Sequence, residues 1–184
     1  MRNILVLIAL LLALSSCQHP NARRPIQSTS GSFINQSVER NKKLFEEETS
    51  LFREMMLANP EHDYIASKNG FWYYYNVKDS LASPQPKYGN RVTFKYNITD
   101  LNDNVILSED ELGLQDYIVD KTNQDLISGI RDGIKLMKEG ESITFLFPSY
   151  KAYGYYGLQD KLGPNIPIQS TITLIAIKQI QENY

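Results

Sequence analysis

The sequence predicts an α+β fold: a bent antiparallel sheet, or half-barrel, packed on one short helix and preceded by an amphipathic helix. Three observations carry that reading. Arg91 to Thr99 alternates, with Val92, Phe94, Tyr96 and Ile98 on one face and Thr93, Lys95, Asn97 and Thr99 on the other, as a strand covered on one side requires. Ile127, Ile130, Ile134 and Met137 fall at helical spacing and form one apolar stripe on a short helix over 124–138. Ser142 to Phe147 then alternates again, with Ile143, Phe145 and Phe147 on one face, and Thr171 to Ile180 supplies a closing strand.

The N-terminus reads as a processing signal. Met1-Arg2-Asn3 gives a positive start, and the apolar run Ile4 to Leu14 is shorter than the roughly 20 residues a spanning helix needs, so residues 1–16 are expected to be a cleaved signal peptide. Leu14-Ser15-Ser16-Cys17 resembles a bacterial lipobox, in which small residues precede a cysteine that receives lipid. Cys17 is the only cysteine in the chain, which excludes an internal disulfide. Acyl chains contribute about 0.8 kcal/mol per buried CH₂, and stable anchoring takes more than one, as the multiply acylated cysteine of lipoproteins provides. Residues 17–34, rich in Ser, Pro, Arg, Asn and Gln, read as a flexible tether. Gln18 follows the cysteine with no acidic run after it, which favours a periplasm-facing, lipid-anchored protein of the bacterial envelope.

Over 35–60 the pattern changes. Val38, Leu44, Phe45, Leu51, Phe52, Met55 and Met56 recur at helical or heptad spacing among charged residues, and Pro60 closes the segment. Two uses are open: a spacer or docking helix that packs on its own domain or another protein, or self-association through the Leu44/Phe45, Leu51/Phe52 seam.

The globular domain spans 64–184. Phe71 to Val77, after the turn pair Asn69-Gly70, is a run of strong strand formers, and Ser83 to Asn90 is a loop. Asp100, Asn102, Asn104 and Glu111 fall at calcium-loop spacings, but Val105 stands where the sharp turn needs Gly, so a hairpin turn through Asn102-Asp103-Asn104 is the better reading. Asn97-Ile98-Thr99 matches a glycosylation sequon but lies within a strand pattern. Gly140-Glu141 stops the short helix, Pro148 ends its strand, and Ser149 to Pro167 is a long loop.

A net charge of -2 offers no basic surface for phosphates, so nucleic acid is not expected as a partner. The sequence has no Gly-x-Ser-x-Gly elbow, no His-Glu-x-x-His, no phosphate loop and no Cys/His cluster, so neither a metal nor a cofactor is expected. What remains is a pocket of apolar and aromatic side chains.

The ordered series Asp125-Leu126-Ile127-Ser128-Gly129-Ile130, Gly133-Ile134, Met137, Gly140-Glu141, Ala152-Tyr153-Gly154, Asn165-Ile166-Pro167 and Ser170 to Ile180 resembles the C-terminal half of an FKBP-type peptidyl-prolyl isomerase. The resemblance implies an FKBP-like sheet and proline-containing polypeptides as substrates. It makes Tyr96, Ile127 and Tyr153 the candidate catalytic residues, with the Ile127 N–H and the Tyr153 hydroxyl donating to peptide carbonyls. The candidate substrate-binding residues are Ile106, Leu107, Tyr117, Leu126, Ile130, Ile166 and Leu174. Three of these depart from the family pattern: Ile130 stands where Trp usually floors the pocket, Ile106-Leu107 replaces a Phe-Asp pair, and Leu174 replaces Phe. The missing Asp is the one whose carboxylate restrains the tyrosine at the position of Tyr96. Two classes therefore stay open, a membrane-tethered isomerase and a catalytically weak or inactive peptide-binding scaffold. Taken together, the lipobox, the charged helix, the Phe71 to Tyr75 strand and Ile127 to Gly157 are similar to gliding-motility-associated FKBP-type lipoproteins, which implies support of envelope folding, motility or secretion assembly.

Overall fold

The computed structural model describes residues 31–79, 83–121 and 126–179; Cys17, the expected signal peptide, most of the expected tether and Asp125 lie outside them. By its contacts the chain divides into two units, Met1–Ser37 and Val38–Tyr184, and the architecture below is that of the second.

Eight strands form one open antiparallel sheet: β1 (Ile65–Ala66), β2 (Trp72–Val77), β3 (Arg91–Tyr96), β4 (Ile98–Thr99), β5 (Val105–Leu107), β6 (Gln115–Ile118), β7 (Ser142–Phe147) and β8 (Ile168–Lys178). The main path runs β1-β2-β7-β8-β3-β6, with β4 branching from β8 to pair with β5. The long strand β8 is the hub. It pairs with β7 from Phe147↔Ile168 to Ser142↔Thr173 and with β3 from Tyr96↔Ile172 to Arg91↔Lys178. The β3–β8 register shifts between Thr93 and Phe94, where Ile175 has no partner, and bulges of this kind bend a sheet.

The strand pattern over Arg91 to Thr99 is interrupted at Asn97. Its side-chain oxygen accepts from the Thr171 N–H at 2.9 Å and its carbonyl accepts from the Ser170 hydroxyl at 2.7 Å, so β3 and β4 part there while both stay on β8. The hairpin between β4 and β5 is built by Asp100, whose carboxylate accepts from the Asn102 and Asn104 N–H groups at 2.8 and 2.9 Å.

Two short elements carry no strong periodicity and are additions to the sequence reading. Strand β6 pairs with β3, and helix α2 (Glu109–Leu112) is set by a capping box between Ser108 and Glu111. The N-terminal helix α1 spans Gly31–Ala58, beginning earlier than 35, and the short helix α3 covers only Ser128–Ile134. Beyond α3 the chain tightens into turns, with Leu136 N–H donating to Gly133 O at 2.9 Å and Met137 N–H to Ile134 O at 3.1 Å. Gly140, at φ +85°, then reverses it into β7.

Within the second unit α1 packs on the domain through one stripe. Phe52 is fully buried, its ring 5.3 Å from that of Trp72, while Glu48 is buried beside it and Leu44 and Met55 are half-buried. Burying one Phe contributes roughly 1.5–3 kcal/mol. The heptad pairs are thus split: Phe52 faces the sheet, and Phe45 and Leu51 remain largely exposed. Among the described residues no helix is long and apolar enough to cross a membrane.

Helix α3 lies on β7 by way of two glycines one turn apart. A Cβ at Gly129 would stand 2.6 Å from the Phe147 ring, closer than a Cβ can come, and one at Gly133 would stand 3.0 Å from the Phe145 ring, which would have to yield by a few tenths of an ångström. Those rings stack nearly parallel at 5.4 Å, and Phe71 meets Phe147 edge-on at 5.3 Å. The core is therefore aromatic on the sheet side and small on the helix side.

Candidate functional site

The site forms where three segments converge on that core: β3 carrying Tyr96, the head of α3 carrying Ile127, and the loop after β7 carrying Tyr153. Tyr96 points inward because its position in the alternation is that of Phe94, whose ring lies 5.8 Å away. Ile127 is the N-cap of α3, with φ -59° and ψ 150°, and its N–H therefore has no intrahelical acceptor. Tyr153 is placed by two 3-10 turns, Ser149–Lys151 and Gly154–Tyr156, between which it is the N-cap of the second.

The loop is fixed to its surroundings by polar contacts. Lys151 Nζ donates to Asp132 Oδ2 on α3 at 2.8 Å, Ser128 Oγ donates to the Lys151 carbonyl at 3.3 Å, and Asn165 N–H donates to Gly154 O at 2.8 Å. On its other side Ser149 N–H donates to Glu48 Oε2 of α1 at 2.9 Å, and the Tyr150 hydroxyl donates to Gly70 O at 3.0 Å. Lys161 Nζ, farther along, reaches Glu111 Oε1 at 2.8 Å and ties the loop to α2.

Of the residues predicted for the site, Tyr96, Tyr117, Ile130 and Leu174 are buried in the central cluster, and Ile106, Leu107, Leu126, Ile127 and Tyr153 are half-buried against it. Ile166 is placed differently. It is 39% exposed and lines a surface groove with Leu51 and Met55 of α1. The Tyr117 hydroxyl is engaged, accepting from the Asp120 N–H at 3.0 Å, so this residue contributes a ring to the core and a cap to a turn. Ile130 sits under the site fully buried, and Leu107 stands opposite Ile98 in the β4–β5 pair.

Burial raises both candidate phenols above the ordinary tyrosine value. Tyr153 is pushed up to about 12, first by desolvation and then by the neighbouring Tyr96; Tyr96 is raised by desolvation alone. Both hydroxyls are therefore protonated at neutral pH and able to donate. Among the described residues neither has a hydrogen-bond partner within the protein. No group of His, Cys, Asp and Glu among the described residues is arranged to hold a metal ion. The arrangement offers two hydroxyl donors and a helix-head N–H on residues that pack on one apolar cluster.

Glu48 and the Lys151–Asp132 pair escaped the sequence reading. The Glu48 contact spans 101 positions and leaves no local trace in a helix already rich in glutamate.

The family model described as FKBP-type peptidyl-prolyl cis-trans isomerase matches residues 83–175, half of the chain, and the chain belongs to that family. It is 40% identical over 52 residues to the probable FKBP-type peptidyl-prolyl cis-trans isomerase FkpA of Neisseria meningitidis serogroup B. That match covers 28% of this chain and 19% of the relative, so the chain spans about a fifth of that protein's length. In structure it is similar to a peptidyl-prolyl cis-trans isomerase from Pseudomonas syringae pv. tomato, with TM-score 0.59 and 22% identity, over 75% of this chain and 96% of that one. It is also similar to FkpA from Escherichia coli, with TM-score 0.58 and 19% identity, over 97% of this chain and 83% of that one. At these identities the two structural likenesses establish the fold.

Proposed function

We propose that this chain isomerises X-Pro bonds in polypeptides of the bacterial cell envelope, held to a membrane by lipid on Cys17 and facing the periplasm. The observation that carries the catalytic part is the pair of protonated, unengaged hydroxyls of Tyr96 and Tyr153, neighbours on the same apolar cluster that holds Ile130 and against which Ile127 packs.

Rotation about an X-Pro bond makes and breaks no covalent bond, but amide resonance imposes a barrier of about 18–20 kcal/mol. In the twisted transition state the nitrogen and carbonyl lose charge separation. A dry site with an apolar floor thus favours that state over the planar, more polar ground state. In this reading the proline ring packs against the apolar cluster that holds Ile130. The Tyr153 hydroxyl and the Ile127 N–H donate to the peptide carbonyls on either side and hold the chain while the bond turns. Neither a general base nor a metal is needed.

The test is a protease-coupled isomerase assay on the folded protein with Tyr153→Phe and Ile127→Gly variants and an FKBP-directed macrolide. Catalysis that weakens in both variants and is blocked by the macrolide supports the reading; a rate equal to the spontaneous one removes it. The anchor has its own test. Cys17→Ala should move the protein from the membrane to the soluble fraction of the envelope and abolish incorporation of labelled fatty acid.

One observation favours the alternative of a catalytically weak peptide-binding module. Leu107 offers no acceptor where the family pattern has a carboxylate to restrain the tyrosine on β3. If that loss limits the reaction, Leu107→Asp should raise kcat/KM; if peptide affinity is high and isomerisation stays at the spontaneous rate in both proteins, the binding module stands. In either form the expected clients are envelope proteins, with motility or secretion components among them. Deleting the gene should impair their assembly.

A further inference from the structure

We propose that Glu48 of the N-terminal helix is a positioning residue for the reaction at Tyr153, a role that rests on the isomerase reading. Its side chain is 3% exposed, and one carboxylate oxygen accepts from the buried Ser149 N–H at 2.9 Å. Ser149 opens the turn that leads to Tyr153. From there two tight turns follow directly on one another: Lys151 N–H to Pro148 O at 2.8 Å and Ala152 N–H to Ser149 O at 3.0 Å close the first, and Gly157 N–H to Tyr153 O at 3.2 Å closes the second. Tyr153 follows the first turn with no spacer, so in this proposal the position of Ser149 sets that of the Tyr153 hydroxyl.

Stability does not account for this carboxylate. Its second oxygen, Oε1, is buried and has no partner among the described residues. A buried, half-paired carboxylate is a poor stabiliser, and an apolar side chain of similar volume does as well or better. What the apolar side chain does not supply is an acceptor for Ser149. The neighbouring contacts on the same face act through the Tyr150 side chain, whose ring meets that of Phe45 at 6.3 Å and whose hydroxyl donates to Gly70 O at 3.0 Å, and they leave the Ser149 N–H without an acceptor. Of the loop's other anchors, Lys151 to Asp132 and the Ser128 hydroxyl to the Lys151 carbonyl attach it to α3. Glu48 thus fixes the outer side of the loop as Asp132 fixes the inner one, and it makes α1 part of the catalytic unit.

The test compares the full chain with Glu48→Gln, Glu48→Asp and Glu48→Met. Gln keeps an acceptor at the same reach, Asp withdraws it by one methylene, and Met keeps the volume and loses the acceptor. Measured are kcat and KM on a proline-containing peptide, the thermal midpoint, and amide hydrogen exchange over residues 149–157. The expected result is that Gln stays within about twofold of wild type while Asp and Met lose about fivefold in kcat/KM, the size of one lost hydrogen bond. Exchange in the loop should quicken in the same two variants, and the thermal midpoint should not follow the activity. Should Met fail to fold, Asp carries the comparison. Wild-type rates in Asp and Met, or a Gln variant as impaired as Met, would overturn the proposal. A wild-type chain that folds but does not isomerise removes the enzyme reading and with it any part for Glu48 in catalysis, whereas loop amides that exchange equally in all four proteins overturn the positioning role alone.

Discussion

The two walls of the site are held by different physics. The α3 wall rests on β7 through Gly129 and Gly133, against rings that are fully buried and stacked on each other. The Tyr153 wall is a loop of two 3-10 turns held at Ser149, Lys151 and Gly154 by single hydrogen bonds and one ion pair. Close packing has one solution and resists small displacements. Single polar contacts permit adjustment, and each can be removed without collapse of the core. The proposed isomerase reading has use for both, a floor that keeps its shape and a loop that can adjust to chains of varied sequence.

Five predictions sharpen or break this contrast, and the largest falls on the packed wall. Phe147→Ala, which empties the space under Gly129, should cost about 3–5 kcal/mol, read as a drop in the urea midpoint at unchanged slope. Gly129→Ala attacks the same contact from the helix. With its new Cβ 2.6 Å from a ring that has nowhere to move, it should cost about 1–3 kcal/mol despite the better helix propensity of Ala. An unchanged midpoint in either variant would mean that the packed wall is softer than its geometry.

The loop wall should answer in activity rather than stability. Tyr153→Phe removes one of the donors proposed for the substrate and is expected to lower kcat/KM by about 3- to 10-fold with little change in thermal midpoint. The same residue sets an alkaline signature. A phenol raised to about 12 in the folded state, from 10.0, contributes stability that is whole below pH ~10 and is lost as pH rises through about 12. The thermal midpoint should therefore fall over that window, less steeply in Tyr153→Phe, while the activity attributable to this donor stays level from pH 6 to 10. The smallest effect is expected of Lys161→Ala. Its ion pair with Glu111 is solvent-exposed, so the cost should be under about 1 kcal/mol and should vanish in high salt.

How much of this could be read in advance follows the same division. The packed wall was legible because burial writes a period into sequence: Val92, Phe94 and Tyr96 on β3, Ile130 and Ile134 on α3, and Phe145 and Phe147 on β7 are at the expected faces. Capping chemistry was present but easy to pass over. Ser108 and Glu111 spell the box that starts α2, inside a segment first weighed as a calcium loop. The break at Asn97 was hidden because an asparagine in an alternating run does not say that its side chain will take a backbone N–H from β8. The loop wall was the least legible. Ala152-Tyr153-Gly154 marks where the hydroxyl is, but the groups that hold it, Glu48 and Asp132, lie on two helices distant in sequence. Ile166 shows the converse limit, since its place in a motif suggested a pocket and its surroundings are the groove beside α1.

The most direct test of the account is exchange NMR on a proline-containing peptide with the full chain at catalytic concentration, which registers weak catalysis without a coupling protease. The account predicts cis–trans exchange well above the spontaneous rate, reduced about 3- to 10-fold in Tyr153→Phe at equal folded protein. Exchange at the spontaneous rate, or an acceleration indifferent to Tyr153, would contradict it.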